Sequence, residues 1–219
     1  ITLIFPIIVI PYLARSLNQQ CFGVLLYALS IGTALSLLID YGYVLSGPRD
    51  VSRCRSEPLR LNQIASEIMA SKIVLIVVSF LIALFLYQLH LVKEPFYVFI
   101  LSWVYSIGLG ASPLWAFQGL ERLRPIVLLE LVANVLSVVG IIVFVRSNET
   151  YYLVLIVLAG CRFLVIIWGH WILFRLYISF VLPSVRAVFK NIFNNFSLFF
   201  LLSSVCLYTT LNTVFLGYF

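Results

Sequence analysis

Apolar runs of membrane-crossing length, separated by short polar turns, recur from one end of this chain to the other. A helix needs about 20 apolar residues to cross a hydrocarbon core of roughly 30 Å. Runs at about 21–46, 68–91, 96–118, 125–145 and 151–174 meet that length. With 63% hydrophobic and 10% charged residues, against about 45–50% and about 25% in soluble domains, the chain has too little polar surface to be solvated by water. In lipid each backbone amide must be satisfied within its own segment, so the runs are predicted to be helices. The expected fold is all-α: a polytopic membrane protein built as a helical bundle.

The punctuation gives the chain its organisation. Residues 1–13 are too short for a span and read as the second half of one, kinked by Pro6 and Pro11. The chain starts at Ile1 and stops inside an apolar run, so both ends look cut. The second run ends at a Gly47-Pro48 break, and a basic loop is expected over 47–67. Within that loop Leu59, Leu61, Ile64 and Ile68 have the spacing of a short amphipathic helix on the membrane surface. His90, Lys93 and Glu94 form a polar turn, and Pro95 and Pro125 suit helix starts. Ser112-Pro113 interrupts the fourth span. The expected division is a first transmembrane lobe over 1–174, a link over 175–195, and a seventh span from 196 that opens a second lobe.

The loops orient the bundle. Alternate loops fall on alternate sides of the membrane. One side collects Arg49, Arg53, Arg55 and Arg60, then Arg122 and Arg124, then Arg175, Arg186 and Lys190: nine of the fourteen lysines and arginines. The other side has Arg15, Lys93 and Arg146. Short loops rich in Lys and Arg stay in the cytoplasm, so the nine-cation side is expected to be cytoplasmic, as is the missing N-terminus. The net charge of +6 is thereby explained by topology, with no role for nucleic acid.

Charged groups inside spans cost at least about 2.5–3.5 kcal/mol at a helix centre and normally face a bundle interior or a cavity. Arg162 lies about 16 Å into the sixth span, near the bilayer centre. It reads either as a cationic contact for an anionic substrate or as the partner of Glu130 or Asp40. Asp40, about two turns from the end of its span, reads as a cavity carboxylate or as the partner of Lys72 or Arg49. Glu130 and Asn134 form an i, i+4 polar stripe, read as lumen lining or as interhelical hydrogen bonding. Lys72, one turn inside the expected third span, is explained by snorkelling to the interface. His170 and Trp171 read as interfacial or packing residues.

No catalytic, metal or cofactor site emerges. The four cysteines are far apart and form no CxxC pair. No phosphate-binding GxxxxGK[ST], HExxH or GxSxG motif occurs. Asn148-Glu149-Thr150 matches a glycosylation sequon but sits in a turn hard against the membrane.

Four stretches, in order, carry a resemblance. They are P-Y-L-A-R-S-L at Pro11–Leu17 with Phe22-Gly23, and L-I-D-Y-G-Y at Leu38–Tyr43 with Pro48-Arg49. The others are P-L-W-A-F-Q-G-L-E-R at Pro113–Arg122, and L-Y-T-T-L-N-T-V-F-L-G at Leu207–Gly217 after Leu182-Pro183. Together they resemble the Wzx-type polysaccharide repeat-unit flippases, related to the MATE exporters. Leu17-Asn18 stands where a Leu-Gly is common, and Ser46–Arg49 replaces a more usual small-residue run.

The resemblance implies a whole protein of two six-helix lobes working by alternating access. Such a protein moves undecaprenyl-diphosphate-linked oligosaccharide across the bacterial inner membrane for O-antigen or capsule assembly. It implies lipid-linked oligosaccharide, membrane lipid and other polysaccharide-assembly proteins as partners, no cofactor and no catalytic residue. Arg162 becomes the natural cationic contact for cargo, with Asp40, Glu130, Asn134 and Lys72 as further lumen candidates. A MATE-like cation or drug antiporter is the alternative, for which an acidic lumen would be expected. An integral-membrane polymerase or ligase of the same pathway would need a long periplasmic loop, which this stretch lacks. A non-transport scaffold is disfavoured by charge buried in three spans.

Overall fold

A computed structural model describes residues 4–89 and 95–218, with side chains over 8–89, 95–148 and 150–206. It is helical, in the order α1 (Ile4–Ser16), α2 (Gln19–Asp40), α3 (Tyr43–Arg53), α4 (Pro58–Gln88), α5 (Phe96–Gly110), α6 (Leu114–Gly119), α7 (Leu123–Phe144), α8 (Leu153–Leu176) and α9 (Val185–Tyr218). Five segments are long and apolar enough to cross a membrane: Gln19–Arg53, Pro58–Gln88, Phe96–Gly119, Leu123–Phe144 and Leu153–Leu176. The polar turn at His90, Lys93 and Glu94 lies outside the described residues.

Two spans are broken, and they pack side by side. The α5–α6 break falls at Ser112-Pro113, as the sequence predicts. The break in the second span does not fall at Gly47-Pro48. It falls at Tyr41 (φ 50°) and Gly42 (φ 87°), both left-handed. Glycine takes this conformation without steric cost, and a Cβ on Gly42 would meet the Leu198 Cβ at 2.9 Å. The Asp40 carboxylate then accepts a hydrogen bond from the Val44 backbone N–H at 3.1 Å and caps the new helix. Gly47 and Pro48 lie inside α3, where the bare Gly47 Cα admits the Trp115 ring.

This moves the basic residues. The expected loop over 47–67 shrinks to a turn between α3 and α4. Arg49 and Arg53 are helical, and Arg60 sits in the first turn of α4. No separate surface helix forms. Pro58 starts a 31-residue helix, about 46 Å long. Leu61, Ala65, Ile68 and Met69 face the protein core; only Leu59, 87% exposed, points away.

The link is also shorter than expected. Tyr177–Ser184 forms no helix or strand, and α9 has begun by Val185, so Arg186 and Lys190 are helical. The strap is held to α4: the Ser179 N–H donates to the Asn62 Oδ1 at 2.9 Å and the Val181 N–H to the Ser66 Oγ at 3.0 Å. Helix α9 then lies against α2, α3 and α4. Phe199 stacks on Tyr41 at 4.5 Å, and the Tyr43 hydroxyl donates to the Asn191 Oδ1 at 3.0 Å.

Turn-to-turn contacts sort the two ends. Arg55 reaches Glu121 and the Gly119 carbonyl at one end. At the other, the Asn18 N–H donates to the Asn148 Oδ1 and the Tyr12 hydroxyl to the Val145 carbonyl. Hydrogen bonding from Arg55 holds the Glu121 carboxyl below its usual range, so this exposed pair stays ionised well below neutral pH. Cys21, Cys54 and Cys161 are free thiols.

Candidate functional site

The intramembrane charges resolve into two separate groups. The first is built by α7 and α8. Glu130 and Asn134, one turn apart on α7, both face Arg162 in the middle of α8. The Arg162 guanidinium donates to the Glu130 Oε2 at 3.0 Å and, more weakly, to the Asn134 Oδ1 at 3.5 Å. The polar stripe predicted on α7 is therefore real, and its partner is Arg162. Gly108 of α5 brings the helices together here: a Cβ on it would lie 2.7 Å from the Arg162 Cβ.

Arg162, Asn134, Tyr105 and Ser137 line a cavity of about 260 Å³ whose other walls are apolar residues of α1, α2, α7 and α8. The Asn134 Nδ2 is buried without a partner. A buried amide donor left unpaired costs about 1–3 kcal/mol, so this atom together with the guanidinium forms a donor pair wanting an acceptor. The cation is compensated, because Glu130 neutralises it. The cavity is also below the roughly 300–1,000 Å³ of sites for drug-sized ligands, so a whole oligosaccharide does not fit in it.

The second group is built by the two broken spans and α4. The Lys72 Nζ donates to the Asp40 Oδ1 at 2.9 Å and to the Gly110 carbonyl at 2.7 Å. It lies 5.9 Å from the centre of the Tyr43 ring. The Lys72 side chain is 6% exposed, which corrects the expectation of snorkelling. Its ammonium points inward to the Asp40 carboxylate and the Gly110 carbonyl, so the side chain does not extend outward to an interface. Of the two partners expected for Asp40, the structure gives Lys72 and not Arg49, which pairs with Asp50.

The remaining candidates do not join either group. Arg49, Arg53, Arg55 and Arg60 lie in or beside the α3–α4 turn, Arg122 and Arg124 at the start of α7, and Arg186 and Lys190 in the first turns of α9. The His170 Nδ1 bonds the Ile166 carbonyl at 2.9 Å, and the Arg175 guanidinium lies 5.0 Å from the Trp171 ring centre, a packing arrangement as expected. Among the described residues no group of His, Cys, Asp and Glu could hold a metal. Three participants escaped the sequence reading: the Gly110 carbonyl, Tyr43 and Asn191. The spacing of Ser102, Ser106 and Gly110, small residues every fourth position on α5, was the available signal for a close helix seam.

Five apolar spans around two buried charge clusters define a multi-pass helical membrane protein. The chain belongs to the polysaccharide biosynthesis protein family, which it matches over residues 1–219. Two relatives, one from Shigella dysenteriae and one from Escherichia coli K12, both carry the name "Putative O-antigen transporter". The first is 34% identical over 66% of this chain and 36% of its own length. The second is 24% identical over 98% of this chain and 52% of its own length. The chain thus spans about half the length of the curated relatives it matches. No solved structure matches it.

Proposed function

We propose that this chain forms the first lobe of a flippase that carries undecaprenyl-diphosphate-linked oligosaccharide across the bacterial inner membrane for O-antigen assembly. The observation that carries this reading is family membership over the whole chain, with relatives named as O-antigen transporters. The buried polar chemistry fits it. Helix α2 leaves small or polar residues open at Gly23, Thr33 and Ala34, whereas α7 opens Leu128, Val132, Val135 and Val139. The α7 face suits lipid, and the α2 face suits a wet path between lobes. Arg162 offers the second arm of its fork, held loosely by Asn134, to an acceptor on the cargo, while Glu130 fixes the first arm. Helix α9, seated on the α2–α3 break, opens the second lobe.

Complementation tests the reading. The full-length gene, expressed in a strain lacking its own flippase, restores surface polysaccharide of the matching repeat unit. Absence of polysaccharide with the protein in the membrane would reject it. Topology is tested on single-cysteine variants keeping Cys54 or Cys21, which sit at opposite ends of the α2–α3 segment. A membrane-impermeant maleimide is expected to label Cys54 in inside-out vesicles and Cys21 in spheroplasts. The reverse pattern would invert the proposed orientation.

A further inference from the structure

Lys72 occupies a place with the chemistry of a cation site. Its ammonium bridges a carboxylate oxygen of Asp40 at 2.9 Å and the Gly110 carbonyl at 2.7 Å, with the face of the buried Tyr43 ring 5.9 Å away. Gly110 is the last residue of α5, so its carbonyl lies at the negative end of a helix dipole. Asp40 is the last residue of α2, and its second oxygen caps α3 through the Val44 N–H. Both broken spans therefore present an oxygen to one point, and a cation there holds the two breaks in register. In transporters, unwound backbone carbonyls and half-helix C-terminal ends of this kind coordinate diffusible cations.

We propose that the Lys72 ammonium is a tethered monovalent cation filling a binding site formed at the crossing of the two broken spans. The site selects a compact monovalent cation, and the protein supplies its own. The junction holds together without drawing on sodium. This goes beyond the flippase reading and does not depend on it, because the readout is thermal stability rather than transport.

The test uses full-length protein in detergent at constant ionic strength, with choline chloride replaced by sodium chloride or by propylammonium chloride. Propylammonium is close in length to the arm that Lys72→Ala removes. Wild-type protein is expected to show no change in unfolding midpoint. Lys72→Ala is expected to unfold earlier in choline and to recover about 3 °C or more, saturably, in propylammonium or sodium. Asp40→Asn/Lys72→Ala is expected to show no recovery. A folded Lys72→Ala that ignores both cations overturns the proposal, as does an equal shift in wild type or in the double variant. If Lys72→Ala does not fold in any buffer, the comparison of Asp40→Asn with Asp40→Asn/Lys72→Met decides. The site requires a higher yield of folded protein from the double variant, because Asp40→Asn alone strands a buried ammonium. An equal or lower yield overturns the proposal.

Discussion

Arg162→Ala in the full-length protein is expected to lose transport, and adding Glu130→Gln is expected to restore the fold without restoring transport. The argument has two parts. Arg162 and Glu130 form an ion pair in mid-bundle with side chains 22% and 18% exposed. Removing the arginine leaves a carboxylate without its counter-charge, which costs about 3–5 kcal/mol in buried pairs; partial exposure places this pair near the low end. Neutralising Glu130 removes the stranded charge, so the double variant recovers most of that loss. Transport behaves differently if the guanidinium binds cargo, because the double variant has no donor fork to offer. Charge-assisted hydrogen bonds are worth about 1.5–3 kcal/mol, which predicts a roughly 10–100-fold loss of surface polysaccharide per unit of membrane protein. The measurement is complementation normalised to protein level. A double variant that transports as well as wild type would reduce Arg162 to a structural brace.

That experiment bears on what a sequence of this kind discloses. The spans were legible because lipid demands helices of a given length, and the mid-helix place of Arg162 and the one-turn spacing of Glu130 and Asn134 were legible for the same reason. Cost only narrowed the pairing: an uncompensated charge inside a span needs a neighbour, and the structure selects Glu130 over Asp40 for Arg162. Lys72 was misread because its partners, the Asp40 carboxylate and the Gly110 carbonyl, come from other helices and leave no mark on its own apolar run. The break in the second span was misplaced because Gly47-Pro48 carries the stronger local signal. What decides the break is long-range: Leu198 and Phe199 of α9 press on Gly42 and Tyr41, while Trp115 fills the space at Gly47. Local punctuation marks where a helix can break, and packing selects among those places. The arginine cluster separates in the same way: its residues lie on helices and turns at one end of the bundle and touch neither buried charge group.

Gly110→Ala is expected to destabilise the helix bundle strongly. Helices α2 and α5 approach through small residues: Gly32 and Ser36 on α2, Ser102, Ser106 and Gly110 on α5. Stripes of small residues let helix backbones close up in a membrane. A Cβ on Gly110 would stand 2.6 Å from the Ile39 Cβ, 2.7 Å from its Cγ2 and 2.9 Å from the Ser36 carbonyl oxygen. Ile39 is fully buried and branched at the point of contact, and a backbone carbonyl has no rotamer to change, so the helices themselves must part. Parting them also draws the Gly110 carbonyl away from Lys72, weakening the contact that joins the two breaks. Overpacking alone costs about 1–3 kcal/mol; with the strained Lys72 contact the sum reaches about 3 kcal/mol, a fall in unfolding midpoint of roughly 3–6 °C for a chain twice this length. Gly160→Ala in α8 is the control. A Cβ there meets nothing within 4 Å, and alanine gains up to about 1 kcal/mol of helix propensity over glycine, so its midpoint stays level or rises. Equal midpoints for the two variants, measured on purified full-length protein, would mean that α2 and α5 do not pack through this seam.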